Sequence, residues 1–132
     1  MIKNLLIPCV FLFFACSSSN NISVSNTEWT LTSVKSASGE KLTPSAKIPT
    51  LTIDAENNTF GNAGCNQFRG VAEIEKQKIK FGKVIMTRMF CMEGAAIETA
   101  FTEMLNTVDN FQIKDNKLYL KKGNETIAEF HK

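Results

Sequence analysis

Cys65 stands in a glycine-studded stretch, Gly61-Asn62-Ala63-Gly64-Cys65-Asn66-Gln67-Phe68-Arg69-Gly70, and Cys91 follows 26 residues later. Sulfur at these two positions admits three kinds of chemistry. A cysteine nucleophile needs a neighbouring base to form thiolate. The chain has one histidine, His131, beside the C-terminus, so a structural cysteine is the better reading. A structural zinc site takes about four Cys or His ligands, often in C-x-x-C pairs, and Cys65, Cys91 and His131 fall short of that. Met86-x-x-Met89-x-x-Met92, with Cys91 inside it, offers soft sulfur of the kind Cu(I) accepts. That spacing gathers the thioethers on one side only in a helix, and the flanking residues read as strand and loop. Methionine is otherwise core filler. The third chemistry is oxidation to a Cys65–Cys91 disulfide, against two buried free thiols. No catalytic residue, metal or cofactor is expected.

Gly61, Gly64 and Gly70 do not make a phosphate loop, because no Gly-Lys-Ser/Thr follows and no helical pattern begins there. They suit a bulge or a sharp corner. Asn66 and Arg88 are the remaining polar candidates. Asn66 can bond the backbone of its own turn. Arg88 can pair with a carboxylate such as Asp54 or meet a partner, and the structural role is favoured.

The N-terminus bears on the redox state. Lys3 precedes an apolar run from Leu5 to Phe14, then Ala15, Cys16 and three serines. A basic end, about ten apolar residues and a small residue at the cut make a secretory signal. The run is shorter than the roughly 20 residues of a membrane span. Phe13-Phe14-Ala15-Cys16 resembles a bacterial lipobox, although such signals usually carry Leu three places before the cysteine. The resemblance implies that Cys16 is diacylated and becomes the new N-terminus. The expected organisation is a signal peptide over 1–15, a lipidated flexible tether over 16–26 and one domain over 27–132. The expected location is the cell envelope, anchored by lipid. Ser17 points to the outer membrane under enterobacterial sorting rules. Cysteines in an exported chain tend to pair, and two remain after processing, which favours the Cys65–Cys91 bridge.

Composition fits a single globular domain: 132 residues, 43% apolar and 21% charged. A net charge of +2, from 15 basic and 13 acidic residues, is too balanced to imply a nucleic-acid partner, and none is expected. Lys76, Lys78, Lys80 and Lys83 alternate with Ile79 and Phe81 like the wet face of a strand.

The elements that must carry these residues are mostly strands. Glu28–Val34 and Thr50–Ala55 alternate in character. Asn57-Asn58 is read as a two-residue turn that sets Phe60 opposite Ala55. Residues 36–49, with Gly39, Pro44 and Pro49, read as loop. Two further strands flank Glu75-Lys76-Gln77. Gly94–Thr107 reads as a helix: Ile97, Phe101, Leu105 and the next residue, Val108, recur at helical spacing, with Glu98 and Glu103 off that stripe. Asp115-Asn116 joins two strands with Ile113 opposite Leu118 and Phe111 opposite Leu120. A three-residue loop, Gly123 to Glu125, then sets Leu120 opposite Ala128 and Leu118 opposite Phe130. The expected fold is mainly β (α+β): about eight short antiparallel strands in a barrel-like sheet, with one α-helix inserted before the last three.

Trp29-x-Leu31, Leu51-Thr52-Ile53-Asp54, Gly64-Cys65-Asn66-Gln67-Phe68-Arg69-Gly70 and Thr87-Arg88-Met89-Phe90-Cys91, in this order, resemble the META domain family, which includes the HslJ-like envelope proteins. Gln67 stands where that family often has Arg. The resemblance implies a small barrel-like β domain with one helix, lipoprotein forms, and links to heat-shock induction, antibiotic tolerance and virulence, without a settled activity. The functional expectation is a non-enzymatic envelope lipoprotein, held on a membrane by its N-terminal lipid, that acts through an unknown protein or small-molecule partner. The alternative is a carrier holding a small apolar ligand in the barrel mouth.

Overall fold

A computed structural model describes residues 22–132. The signal segment, Cys16 and the first part of the tether lie outside the described residues. Ile22–Asn26, read from sequence as the end of the tether, belong to the fold. Val24 is buried, its carbonyl accepts the Trp29 indole N–H at 3.0 Å, and the Asn26 N–H reaches the Ile53 carbonyl at 2.7 Å.

The elements run β1 (Glu28–Lys35), β2 (Lys41–Leu42), β3 (Thr50–Ile53), β4 (Asn58–Asn62), β5 (Gln67–Glu75), β6 (Lys78–Met86), α1 (Ala95–Thr107), β7 (Asn110–Lys114), β8 (Lys117–Lys122) and β9 (Glu125–His131). The nine strands form one antiparallel sheet, and a β1–β9 pairing curls it into a ring with β2 as an appendage on β1. The ring with one helix before the last three strands is the expected architecture. The additional strand, β2, pairs only at Val34–Leu42 and Lys35–Lys41. Two residues are too short for alternation to reveal.

Alternation fixes the long strands. On β5 and β6, Phe68, Ala72, Ile79 and Phe81 point inward. Outside, Glu73 stands opposite Lys80 and Glu75 opposite Lys78. The register then shifts at Gly70, where Lys83 adopts φ 53°. This bulge explains the odd step from Lys80 to Lys83 on the wet face. It also re-aims the strand beyond it, as bulges do, so that Ile85 points out and is 70% exposed.

Asp115 and Asn116 both take positive φ, at 53° and 61°, in the expected two-residue turn. Ile113 faces Leu118 and Phe111 faces Leu120. The next hairpin reaches its expected apolar pairs by another route. Lys122 pairs with Glu125 across a two-residue turn, and a shift after Lys121 restores Leu120–Ala128 and Leu118–Phe130. The β3–β4 connection departs from the sequence reading. Phe60 faces Thr52, not Ala55. Asp54 causes the longer loop: its Oδ1 accepts the N–H groups of Glu56 and Asn58 at 2.9 and 2.8 Å, and its Oδ2 accepts Asn58 Nδ2 at 3.0 Å.

Helix α1 lies over the ring with Ala100, Phe101, Met104 and Leu105 buried. Phe101 sits between Phe68 and Phe130, with ring centroids 5.4 and 6.2 Å away, in the tilted arrangements aromatic pairs favour. Trp29, Leu31, Leu51, Ile53, Ile79, Leu118 and Leu120 fill the rest of the interior. Thr59 is buried beside this core with an unpartnered hydroxyl. Thr59→Val keeps the shape and removes that hydroxyl. It should raise stability by about 1 kcal/mol, read as a higher denaturant midpoint at unchanged slope.

Candidate functional site

The corner that holds Cys65 is built where β4, β5 and β6 meet the start of α1. Gly61 crosses β3 so closely that a Cβ there would stand 2.1 Å from the Thr50 carbonyl oxygen, a contact only glycine avoids. The chain then climbs through Gly64, at φ 127°, over the N-terminus of α1. Gly94 precedes that helix and supplies no side-chain cap.

The helix instead ties down the corner. Glu98, in the first turn, turns its carboxylate toward the corner. Oε2 accepts the N–H of Cys65 at 2.9 Å and of Asn66 at 2.6 Å, and Oε1 accepts Asn66 Nδ2 at 2.7 Å. Burial pushes the Glu98 carboxyl up, but the Asn66 side chain, the Asn66 N–H and the Cys65 N–H together hold it below its ordinary value. Asn66 is buried and occupied on all sides. Its Oδ1 accepts the Met89 N–H at 2.6 Å and the Thr87 hydroxyl at 3.0 Å, and its Nδ2 also donates to the Met89 carbonyl at 3.1 Å. Its amide thereby uses both donors and both acceptor positions. The Cys65–Cys91 disulfide, with Cα atoms 6.0 Å apart, adds a covalent tie between the same segments.

Asn66, Cys65 and Cys91 therefore meet at one corner, and the Asn66 side chain bonds across to Thr87, Met89 and Glu98. Arg88 stays outside. It is exposed and forms no ion pair among the described residues, and Asp54, its suggested partner, is taken up by its own loop. Met89 and Met92 are exposed, Met86 points its sulfur at the Thr102 hydroxyl 3.9 Å away, and Cys91 is in the bridge. His131 bonds the Thr32 hydroxyl through Nδ1 at 2.8 Å, on the β1–β9 wall.

Sequence reasoning passed over Glu98 because it searched the helix for an apolar stripe. The signal was present: an acidic residue in the first turn of a helix entered through Gly-Ala-Ala, which leaves its N-terminus without a capping side chain.

Beside the corner, an open groove of about 730 Å³ runs between β6 and α1, bordered by Asn66, Met86, Arg88, Met89, Phe90 and Thr102. It exists because β6 and β7 pair at one position only, Lys78–Asn110. Phe90 is 91% exposed and Met92 86%.

A closed antiparallel ring capped by one helix, with a disulfide-tied Gly-Cys-Asn corner, defines a class of small β-barrel domain. The META domain matches residues 22–132, and the chain belongs to the META domain family. Among solved structures it is similar to an NMR structure of a protein from Burkholderia xenovorans, at 26% identity and TM-score 0.67, covering 82% of each chain. A second NMR structure is similar in fold at 19% identity and TM-score 0.60, covering 83% of this chain and 94% of that one. No curated protein matches the sequence.

Proposed function

We propose that this protein is a non-enzymatic cell-envelope lipoprotein, anchored by acylated Cys16, whose META domain serves envelope stress or antibiotic tolerance by binding through its outer surface. One observation carries the reading. The ring is filled by its own side chains, with Trp29, Phe68, Phe101 and Phe130 at its centre, while among the described residues seven large apolar side chains stand exposed outside: Ile48, Phe60, Val71, Ile85, Met89, Phe90 and Met92. A carrier needs an empty interior, so the filled ring favours the outer surface as the working part. In the corner, the polar atoms of Asn66 and Glu98 are engaged with one another and with backbone, an arrangement suited to holding shape.

Mass spectrometry of the mature protein tests the anchor. The expected species begins at a diacylated Cys16 and is lighter by two hydrogens before reduction than after it. An unmodified chain that retains Met1 would sink the proposal.

A further inference from the structure

The exposed apolar side chains are not scattered. Phe60, Arg69 and Ile85 are successive cross-strand neighbours on the outer face of β4, β5 and β6. Val71 lies next along β5. The bulge at Lys83 turns Ile85 onto this face. Met89, Phe90 and Met92 continue it past the end of β6. Lys47 brings its Nζ to 3.9 Å from the Cys91 sulfur at the base of this loop. Among the described residues, β1, β7, β8 and β9 contribute no exposed large apolar side chain. Isolated exposed apolar groups need no explanation, whereas six on one wall do.

Charge follows the same wall. Lys47, Arg69, Lys83 and Arg88 are exposed there, and none forms an ion pair among the described residues. Glu73 and Glu75 stand opposite Lys80 and Lys78 lower on the wall. That leaves Glu93 as the exposed acid beside the loop. The chain enters the fold at the far end of this wall: Asn26 bonds Ile53, which pairs with Thr59 at the end of β4 away from the Met89–Met92 loop. The six residues from Cys16 to Ile22 span at most about 21 Å.

We infer that the β4–β6 wall and the Met89–Met92 loop dock on an anionic phospholipid surface, with Phe90, Met89 and Met92 entering the headgroup–acyl boundary and Lys47, Arg69, Lys83 and Arg88 meeting lipid phosphates. The inference deepens the proposed function by naming the partner of its exposed face, and rests on it for the anchor that brings the face to a bilayer. Apolar side chains flanked by cations bind such surfaces through burial together with attraction to anionic lipid. The disulfide and Asn66 hold the loop in its protruding form, so little ordering remains to be done on contact.

The test uses the mature protein taken from membranes and reconstituted into vesicles of phosphatidylethanolamine and phosphatidylglycerol with brominated acyl chains. Phe90→Trp places a reporter on the loop at a position that is 91% exposed, its emission read as the increment over that of the buried native Trp29. Tyr119→Trp places one on β8, which stands opposite β4 in the ring. Insertion by about 5–10 Å should quench the position-90 emission at least about two-fold while position 119 stays near its value on unbrominated vesicles. The difference should shrink in phosphatidylcholine vesicles, and when Lys83→Glu and Arg88→Glu are added. Flotation reads the anchor separately. Protein that floats with position 90 no more quenched than position 119 overturns the docking and leaves the anchor standing. A chain without acyl groups overturns the anchor, and quenching at position 90 on the same vesicles still decides the docking. A position-90 emission that responds to added envelope proteins but not to vesicles assigns the face to a protein and overturns the inference.

Discussion

Asn66→Asp should destabilise the domain by about 3–5 kcal/mol at pH 7, with a pH dependence opposite to that of the native protein. The substitution exchanges one heavy atom, the amide NH2 giving way to a carboxylate oxygen. In the native corner, Asn66 Nδ2 donates to Glu98 Oε1 at 2.7 Å and to the Met89 carbonyl at 3.1 Å. An aspartate there faces the Glu98 carboxylate with a second negative oxygen, and the position is only 3% exposed. Two carboxylates so placed cannot both ionise without a large cost, and one of them is pushed toward the neutral acid. The native protein behaves differently. Its Glu98 carboxyl is held below the ordinary value of 4.5. A depressed folded-state value contributes stability that is present above the unfolded value and lost as pH falls through the folded one. The native protein should therefore lose part of its stability on acidification below about pH 4.5. Asn66→Asp should regain stability over the range just above, as one carboxyl takes up a proton. Urea midpoints measured between neutral pH and the acid limb separate the two. Parallel curves would show that Asn66 and Glu98 do not share this contact in solution. Glu98→Ala is the companion variant. It orphans the Cys65 and Asn66 N–H groups, at about 1–3 kcal/mol for each donor left buried, and abolishes the contribution of Glu98 to the acid limb.

The ring was largely legible in the sequence because its strands alternate and its helix repeats every three or four residues. Both periods report burial on one face directly. Phe111, Ile113, Leu118 and Leu120 carried enough of that pattern to fix a hairpin register to the residue. Legibility failed where side chains act on backbone. Asp54 lengthens the β3–β4 loop through bonds to Glu56 and Asn58, and no apolar period records such a cap. Lys83 takes a left-handed conformation that ordinary propensities would not assign to lysine. The step from Lys80 to Lys83 was its only trace. At the corner the cysteines were conspicuous by type, and Asn66 by its place beside Cys65. Glu98 was not, because its importance comes from a neighbour more than thirty positions away, and pattern rules reach only a few residues.

Reduction of the Cys65–Cys91 bridge should lower stability by about 3.5 kcal/mol on the chain-entropy account, the second large effect expected. The bridge closes a loop of 26 residues that contains the whole of β5 and β6, two of the strands that carry the proposed docking wall. At about 4–8 °C per kcal/mol for a domain near this size, the melting temperature should fall by roughly 15–25 °C. Cys65→Ser with Cys91→Ser should reproduce most of that fall. The Asn66 network spans the same gap and survives reduction, so the reduced protein should remain folded in mild conditions. Its weakest point should then be Thr87–Cys91. Two measurements distinguish this from general loosening. In the reduced protein, the half-exposed Cys91 should alkylate well before the buried Cys65. Amide exchange at Met89, whose N–H is held by Asn66 Oδ1, should accelerate more than exchange in β8. The two ties also share one segment, so their removal should not be additive. With the bridge gone, Asn66→Ala should cost more than it does in the oxidised protein, by an interaction of about 0.5–3 kcal/mol. Additive losses, or equal alkylation of both thiols, would mean that the bridge constrains the unfolded chain without holding this corner. The protrusion of Phe90 would then depend on Asn66 alone.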